Sequence, residues 1–596
     1  MRRNQDTAGY LATPIGAAIW QAKYRRSDSN GAPDLAIEDT WRRVAHALAA
    51  AESADRAAWA QRFYAALEDF RFLPGGRILA GAGTGERVTL FNCFVMGVIE
   101  DTLDGIFDAL KDGALTMQQG GGVGYDFSTL RPAGMRAQRT GTIASGPVSF
   151  MRIWDVMCST LLSTGARRGA MMATLRCDHP DIEAFIAAKR DARELRHFNL
   201  SVLVTDGFMR AVQADAEWPL LFPPPGETAG TPTVFRSLKA RALWRSMMRA
   251  NYDYAEPGVI FIDRVRSLDN LGYGERICAT NPCGEIPLPP YGACDLGSIN
   301  LTRFVRQPFS TQAAVDFEGI AATAAIATRM LDNVYDISQF PLPQQRKVAR
   351  ASRRIGLGLT GLADALLMLG IEYGSPRSLE LAAGIMRAIC HAAYRASTAL
   401  AREKGAFELF RSEQYLEAGF VSALPADIRD AIRRDGIRNS HLTAIAPAGT
   451  ISLLAGNVSS GLEPIYADRC LRNMRLADNT IASFEVTDYA CALYRELSGS
   501  AGLPPAFAAA ADIGARAHLA MQAALQPYVD NAISKTINVR EDLDFEAFCS
   551  LYEEAYALGL KGCTTFRPNP VTGSVLMSRE TADAPANCCN IEREAD

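Results

Sequence analysis

The stretch NPCGEIPLPPYGACDLGSINL, residues 281–301, decides how this chain is read. Prolines at 282, 287, 289 and 290 and glycines at 284, 292 and 297 exclude a regular helix and break any central strand. Long irregular stretches inside compact proteins are uncommon, and they are either functional or disordered. This one is too apolar for disorder. It carries Cys283 on a stiff loop, with Glu285 close behind it and Cys294 further on. A buried structural cysteine needs no neighbouring acid, and an unpaired Glu285 in an apolar setting would be costly. The pair therefore suggests chemistry, with acid–base work by the glutamate. A cysteine-protease reading requires an activating histidine, and none lies in this region. Cys294 is alternatively half of a redox couple, with Cys93 in "FNCF" or the terminal pair Cys588–Cys589 as partner. Two idle cysteines on a frayed terminus is the plainer account of that last pair.

Composition narrows the field. At 596 residues the chain is too long for one small core, so several domains or one large domain with additions are expected. Hydrophobic residues at 48% and charged residues at 21% are the balance of a soluble globular protein. A net charge of −4 makes no case for nucleic acid or anionic membranes as partners. No apolar run approaches the roughly 20 residues that span a bilayer, and "MRRNQDTAGY" has no apolar core behind it to make a signal peptide. Thirteen cysteines, an odd count with no extracellular signature, point to a reducing, cytoplasmic setting. Cys158, Cys390, Cys491 and Cys549 fall within helix-like apolar patterns and read as small buried hydrophobes. There is no CxxC pair, and the six histidines never fall at i and i+4, so a zinc site has little support.

The chain opens helically. "EDTWRRVAHALAAAE" puts Trp41, Val44, Ala45 and Leu48 on one face, with Asp39 or Thr40 as N-cap, and "ADRAAWAQRFYAALEDF" continues the pattern. Residues 1–75 are thus a helical N-terminal region. Short apolar runs, glycine turns and amphipathic helices then alternate over 76–565, the pattern of one large α/β body. Within it "ERVTLFNCFVMGVI" reads as a strand, "DTLDGIFDALKDGALTMQQ" as a helix and "GGGVGYDFSTLRP" as the loop after it. Residues 566–596 lose periodicity and read as a mobile tail.

Other constellations are less specific. GGGVG is incomplete as a nucleotide loop, and tight backbone packing explains it better. Pro447, Ala448, Gly449 and Thr450 would open a helix through Ile451, where free amides and hydroxyls suit a phosphate; an ordinary capped helix fits equally well. The turn Arg167-Arg168-Gly169 suits a phosphate or a base, or is simply solvated.

Taken in order, "FNC", "NPCGE" followed by Cys294, "PAGTIS" and "QPYVDNAISKTINV" resemble the large catalytic subunit of ribonucleotide reductases, and most closely the adenosylcobalamin-dependent class II enzymes. The likeness runs from "IEDTWRRVA" to "KGCTTFRPN", nearly the whole chain. It implies a ten-stranded α/β barrel of two antiparallel five-stranded halves, with 281–301 as a finger loop through the centre. In that family's terms Cys283 becomes the thiyl radical that takes the 3′-hydrogen, Glu285 takes the 3′-hydroxyl proton and Asn281 hydrogen-bonds the ribose. Cys93 and Cys294 supply the electrons and end as a disulfide. Pro447 to Ile451 would hold the substrate phosphates, and Asn92 and Gly122 would line the site. No Tyr-Tyr pair stands at "KGCTTFRPN" and no RVxGY motif is present, so the resemblance leaves the radical to a cofactor, adenosylcobalamin, which brings its own cobalt. Without a DxHxxG motif, binding with a histidine in place of the cobalamin base is disfavoured.

The resemblance also implies a specificity-effector site at Asp101, Thr102, Leu103 and Arg131, with Arg167-Arg168 coupling deoxynucleotide effectors to substrate choice. Such sites lie at a dimer interface, so a homodimer is expected. With a helical region of this length at the N-terminus, a separate ATP-cone domain, and with it overall control by dATP, is not expected. Diphosphate substrates are expected, since the insertion of triphosphate-specific monomeric relatives is lacking. Thioredoxin is the expected reductant, reached through Cys588 and Cys589, although the family usually separates its two tail cysteines. The competing readings are a barrel relative with another radical source and a non-catalytic nucleotide-sensing subunit. The latter predicts loss of one of Cys93, Asn281, Cys283, Glu285 or Cys294, and all five are present.

Overall fold

The computed structural model describes residues 10–136, 143–163, 167–191, 193–223, 232–475 and 481–568. Helices Ile37–Ala49 and Arg56–Leu67 pack against each other and against the long helix Phe317–Ile337. Trp41, Val44, Ala45 and Leu48 are buried as their spacing requires. The first helix begins two residues earlier than its expected caps: Ala36 is the N-cap, and Asp39 reaches back to accept from the amides of Leu35 and Ala36. Buried Glu52 fastens this region to the rest. Its carboxylate accepts from Arg329 Nε at 2.8 Å and Asn333 Nδ2 at 2.7 Å, and Trp59 covers the Arg329 guanidinium.

Ten strands form the main sheet: β1 (Phe72–Pro74), β2 (Cys93–Val95), β3 (Gly122–Asp126), β4 (Met171–Arg176), β5 (Phe198–Val204), β6 (Gly258–Phe261), β7 (Ala293–Asn300), β8 (Ile355–Thr360), β9 (Thr536–Asn538) and β10 (Gly562–Phe566). Strands β2 to β6 are mutually parallel neighbours, and their apolar runs are those of strands covered on both faces. The second half is β7 parallel to β8 and β9 parallel to β10. The halves meet antiparallel at β7·β2 and β6·β10. The regular ladders leave a gap between β8 and β9. Two single-residue parallel bridges cross it, Leu357 with Thr443 and Ile445 with Ile533, so residues 441–446 act as the missing member of the second half. A Cβ on Gly358 would lie 2.2 Å from the Ala444 carbonyl oxygen, so only glycine permits this approach. The tenth strand of the regular sheet is instead β1, added outside β7.

Two expectations are corrected. Residues 120–132 are not a loop throughout: Gly122–Asp126 form β3, central in the first half. The strand read over 86–99 contracts to Cys93–Val95. The four cysteines assigned to helix interiors are all buried there. No helix among the described residues is long and apolar enough to cross a membrane.

Candidate active site

Residues 279–288 form a narrow hairpin, Ala279–Thr280 antiparallel to Pro287–Leu288, with Asn281–Ile286 as its tip. Gly284 sits at φ +85°, a conformation that glycine adopts freely, and its amide donates to the Asn281 carbonyl at 3.1 Å. The tip is tethered from three sides. Asn199 Nδ2 on β5 donates to the Pro282 carbonyl at 2.8 Å, the Ala532 amide to the Glu285 carbonyl at 2.9 Å, and Arg354 Nη1 on the approach to β8 to the Pro287 carbonyl at 2.6 Å. The glycines of β3 explain themselves here. A Cβ on Gly124 would fall 1.9 Å from the Thr280 carbonyl oxygen, and one on Gly122 would press on the Pro282 ring at 3.2 Å.

Below the tip the polar groups converge. Asn281 Nδ2 donates to Glu285 Oε1 at 2.8 Å and lies 3.2 Å from Cys93 Sγ, while the Cys93 thiol faces Glu285 Oε1 at 3.8 Å. Asn281 Oδ1 accepts from the Ile286 amide at 3.0 Å, which fixes the orientation of its side-chain amide. Glu285 is fully buried, and its Oε2 has no hydrogen-bond partner among the described residues. Burial raises its carboxyl to about 7, against the lowering effect of the Asn281 hydrogen bond. Cys93 and Cys294 are thiols on opposite strands and are direct register partners of β2 and β7. Facing residues of antiparallel strands have Cα atoms about 4.5–5.5 Å apart, within the range a disulfide bridges. Burial pushes both thiols far up, reinforced at Cys93 by the charge of Glu285 and at Cys294 by that of Asp295.

Cys283 projects from the tip into a cavity of about 1430 Å³. Pro447, Gly449 and Ser452 line the same cavity at the start of the helix Gly449–Leu454. Ala448, Thr450 and Ile451 are buried off the wall: the Ala448 amide donates to Ser460 Oγ at 2.7 Å and Lys23 Nζ reaches Thr450 Oγ1 at 3.4 Å. Asn92 and Gly122 lie off the cavity wall too. Gly122 underlies Pro282, whereas the Asn92 side chain is buried against Gly75.

The expected effector residues form a separate group on the outside. Arg131 Nε donates to Asp101 Oδ2 at 2.7 Å, and Thr102 Oγ1 caps the helix Leu103–Gln118 by accepting from the Gly105 amide at 3.0 Å. Arg167–Arg168 pair with Leu162–Ser163 as a two-residue ladder, and their side chains lie outside the described residues. Cys588 and Cys589 also lie outside them. Sequence reasoning passed over Asn199 and Arg354. Polar Asn199 within the apolar run FNLSVLV was a readable signal; nothing near Arg354 announced its partner.

A thiol pair placed to close as a disulfide, beside a buried carboxyl raised to about 7, is an arrangement chemically able to deliver two electrons and to move a proton out of contact with bulk water. Known proteins agree. The model of the ribonucleotide reductase barrel domain matches residues 91–566 and that of the ribonucleotide reductase all-alpha domain matches 10–87. The chain belongs to the large-subunit family of ribonucleotide reductases. It is 37% identical over 582 residues to a vitamin B12-dependent ribonucleoside-diphosphate reductase of Mycobacterium tuberculosis (strain CDC 1551 / Oshkosh), covering 94% of this chain and 80% of the relative. A protein of the same description from Thermoplasma acidophilum is 36% identical over 533 residues, 86% of this chain and 66% of that one. A vitamin B12-dependent ribonucleotide reductase of Streptomyces coelicolor is 28% identical over 569 residues, 83% and 58% respectively.

Proposed function

We propose that this chain reduces ribonucleotides, specifically ribonucleoside diphosphates, to 2′-deoxyribonucleotides through a thiyl radical on Cys283, with adenosylcobalamin as cofactor. The observation that carries the reading is one arrangement: Cys283 on the cavity wall, above the hydrogen-bonded set Asn281–Glu285–Cys93, with Cys294 in register opposite Cys93. The names of the relatives support the cofactor and the diphosphate.

The cavity fits such a cofactor. It exceeds the usual range of about 300–1,000 Å³ for small-molecule pockets, leaving room for a large group beside a nucleotide. Ser534, Thr536, Asn538 and Thr564 on and beside β9 and β10 line it with neutral donors and acceptors, suited to the carboxamide fringe of a corrin. Adenosylcobalamin, when bound, supplies the radical equivalent that removes the hydrogen atom of the Cys283 thiol.

The chain's own groups do the rest. The Cys283 radical abstracts the 3′-hydrogen, and the Glu285 carboxylate takes the 3′-hydroxyl proton. Asn281 holds Glu285 and the ribose in register. The C2′–O bond breaks and the hydroxyl leaves as water with a proton from the Cys93/Cys294 pair. The pair then delivers two electrons and a second hydrogen, which ends on C2′, and closes as a disulfide. Glu285 returns its proton and Cys283 returns its hydrogen to C3′. Of the turn Pro447 to Ile451, Pro447 and Gly449 face the cavity and meet the phosphates, and Gly122 supports the floor from beneath Pro282.

Re-reduction falls to Cys588 and Cys589, in exchange with thioredoxin or a similar dithiol. The described chain leaves along Phe566 and Pro568 on the cavity wall. The residues from there to Cys588 span up to about 65 Å when extended, ample to return to Cys294. Asp101, Thr102, Leu103 and Arg131 bind the deoxynucleotide effector, coupled to the substrate by Arg167 and Arg168. Leu103, Phe107, Ile153 and Val156 are exposed on the adjoining helices Leu103–Gln118 and Pro147–Thr160, an apolar face suited to a second copy of the chain. The setting is cytoplasmic. The test is anaerobic conversion of CDP to dCDP with dithiothreitol, with and without adenosylcobalamin and with no second subunit. Strict dependence on the cofactor supports the reading; no product with any effector, from diphosphate or triphosphate, overturns it.

A further inference from the structure

We propose that Asn199 is a positioning residue for the Cys283 thiol, acting through the peptide bond that joins Pro282 to Cys283. The inference rests on the radical role of Cys283. The three outside tethers of the finger are not equivalent. Ala532 and Arg354 hold Glu285 and Pro287, on the return limb, and both belong to the second half of the ring. Asn199 alone, from the first half, holds the carbonyl that directly precedes Cys283. Pro282 has no N–H, so the residue before the cysteine cannot donate a backbone hydrogen bond of its own. Gly284, directly after the cysteine, has φ +85° and nothing within 4 Å of the place a Cβ would occupy. On one side of Cys283 the chain at Gly284 faces open space; on the other, the Pro282 ring rests over Gly122 and the Pro282 carbonyl is held by the Asn199 side-chain amide. Asn199 itself is set by the parallel ladder, opposite Met172 on β4, and the next amide, of Leu200, donates to Glu256.

Kinetics separates positioning from binding. Asn199 also lines the cavity, so it must be asked whether it touches the nucleotide instead. A group that aims the radical affects the chemical step and leaves ground-state affinity alone, whereas a group that binds the nucleotide moves KM.

The test compares Asn199→Ala and Asn199→Asp with the unaltered enzyme; the aspartate is nearly isosteric but, ionised, has no hydrogen to donate. Both variants are first matched to the parent by thermal midpoint and by secondary structure. Two readouts follow. In turnover with CDP, kcat is expected to fall about 10- to 100-fold, the scale of a misplacement near 1 Å, with KM changed less than about twofold. In the enzyme without cofactor or nucleotide, alkylation of the Cys283 peptide by iodoacetamide, followed by mass spectrometry, is expected to quicken about tenfold as the tip opens locally. A rise in KM at unchanged kcat would make Asn199 a nucleotide ligand and overturn the proposal. An alkylation rate equal to the parent's in both variants would overturn it as well. If the parent reduces no nucleotide, the functional reading fails, and the alkylation rates still decide whether Asn199 braces the tip.

Discussion

Gly124→Ala would probe the finger from beneath without touching any reacting group. The added methyl would stand 1.9 Å from the Thr280 carbonyl oxygen, where real contacts essentially never fall under 3.0 Å. The hairpin must therefore lift by about 1 Å or more, because β3 is pinned on both sides by β2 and β4 and has no room to retreat. Thr280 directly precedes Asn281, so the displacement passes into the tip and carries Cys283 and Glu285 with it. Overpacking of this kind costs about 1–3 kcal/mol of stability. That is a fraction of the roughly 5–15 kcal/mol that holds a domain folded, so the variant is expected to remain native. Turnover is more sensitive, because a 1 Å error at a reacting centre costs about a hundredfold. Gly85→Ala, at a position with nothing within 4 Å of the new atom, is the control. The assay is single-turnover formation of dCDP under saturating cofactor and effector, with the urea midpoint measured on the same samples. A folded Gly124→Ala enzyme with an unchanged rate would refute the claim that close packing against β3 sets the height of the finger.

Glu285 acts as base only when ionised, so kcat is expected to rise with pH through about 7 and level off above it. Since the Asn281 hydrogen bond lowers the carboxyl, Asn281→Ala should move that limb upward, and a limb that stays in place removes Glu285 as the base. Cys93→Ser and Cys294→Ser should each abolish turnover, and one round of the parent without reductant should leave a Cys93–Cys294 disulfide visible by peptide mapping; a round that leaves both as thiols is inconsistent with their role. Glu52→Ala leaves the buried Arg329 only the exposed Glu403 carboxylate and the half-buried Lys404 only Asn333, and should cost about 3 kcal/mol in urea unfolding. Burial opposes ionisation of Glu52, but the Arg329 and Asn333 hydrogen bonds outweigh it and lower the carboxyl. Its contribution is therefore fully present above the usual carboxylate range and is lost as pH falls through the lowered value. Phe107→Glu with Val156→Glu should shift sedimentation toward a monomer while leaving the far-ultraviolet spectrum unaltered; an undisturbed dimer would place the interface elsewhere.

The sequence was most legible where local chemistry dominated. Four prolines and three glycines over 281–301 left few conformations open, and the period of residues 103–118 could only be a helix. Tight backbone packing was the right reading of GGGVG, but its partners, the Thr280 carbonyl over Gly124 and the Pro282 ring over Gly122, lie more than a hundred residues away and no local pattern encodes them. The same holds for the caps: Asp39 looked like a start signal and instead serves one turn inside the helix. For the site, Cys283 and Glu285 were readable from the residues themselves; Cys93 was one of two candidate partners for Cys294 until the family resemblance chose it, and Asn281 came only through that resemblance. Asn199, Ala532 and Arg354 come from three remote strands or their approaches, so their convergence on one hairpin exists only in three dimensions.

The register pairing of Cys93 with Cys294 bears on how the chain comes to be active. One sulfur arrives early in synthesis and the other after the whole first half has been made, and they meet only across the seam where the opposed halves join. A nascent or half-folded chain holds each thiol apart, with no finger between them and no base raised by burial. Such contacts between distant residues fold slowly and leave sheet edges exposed meanwhile. The arrangement ties the electron pair to assembly, since a chain that has not closed its seam has not brought Cys93 and Cys294 together.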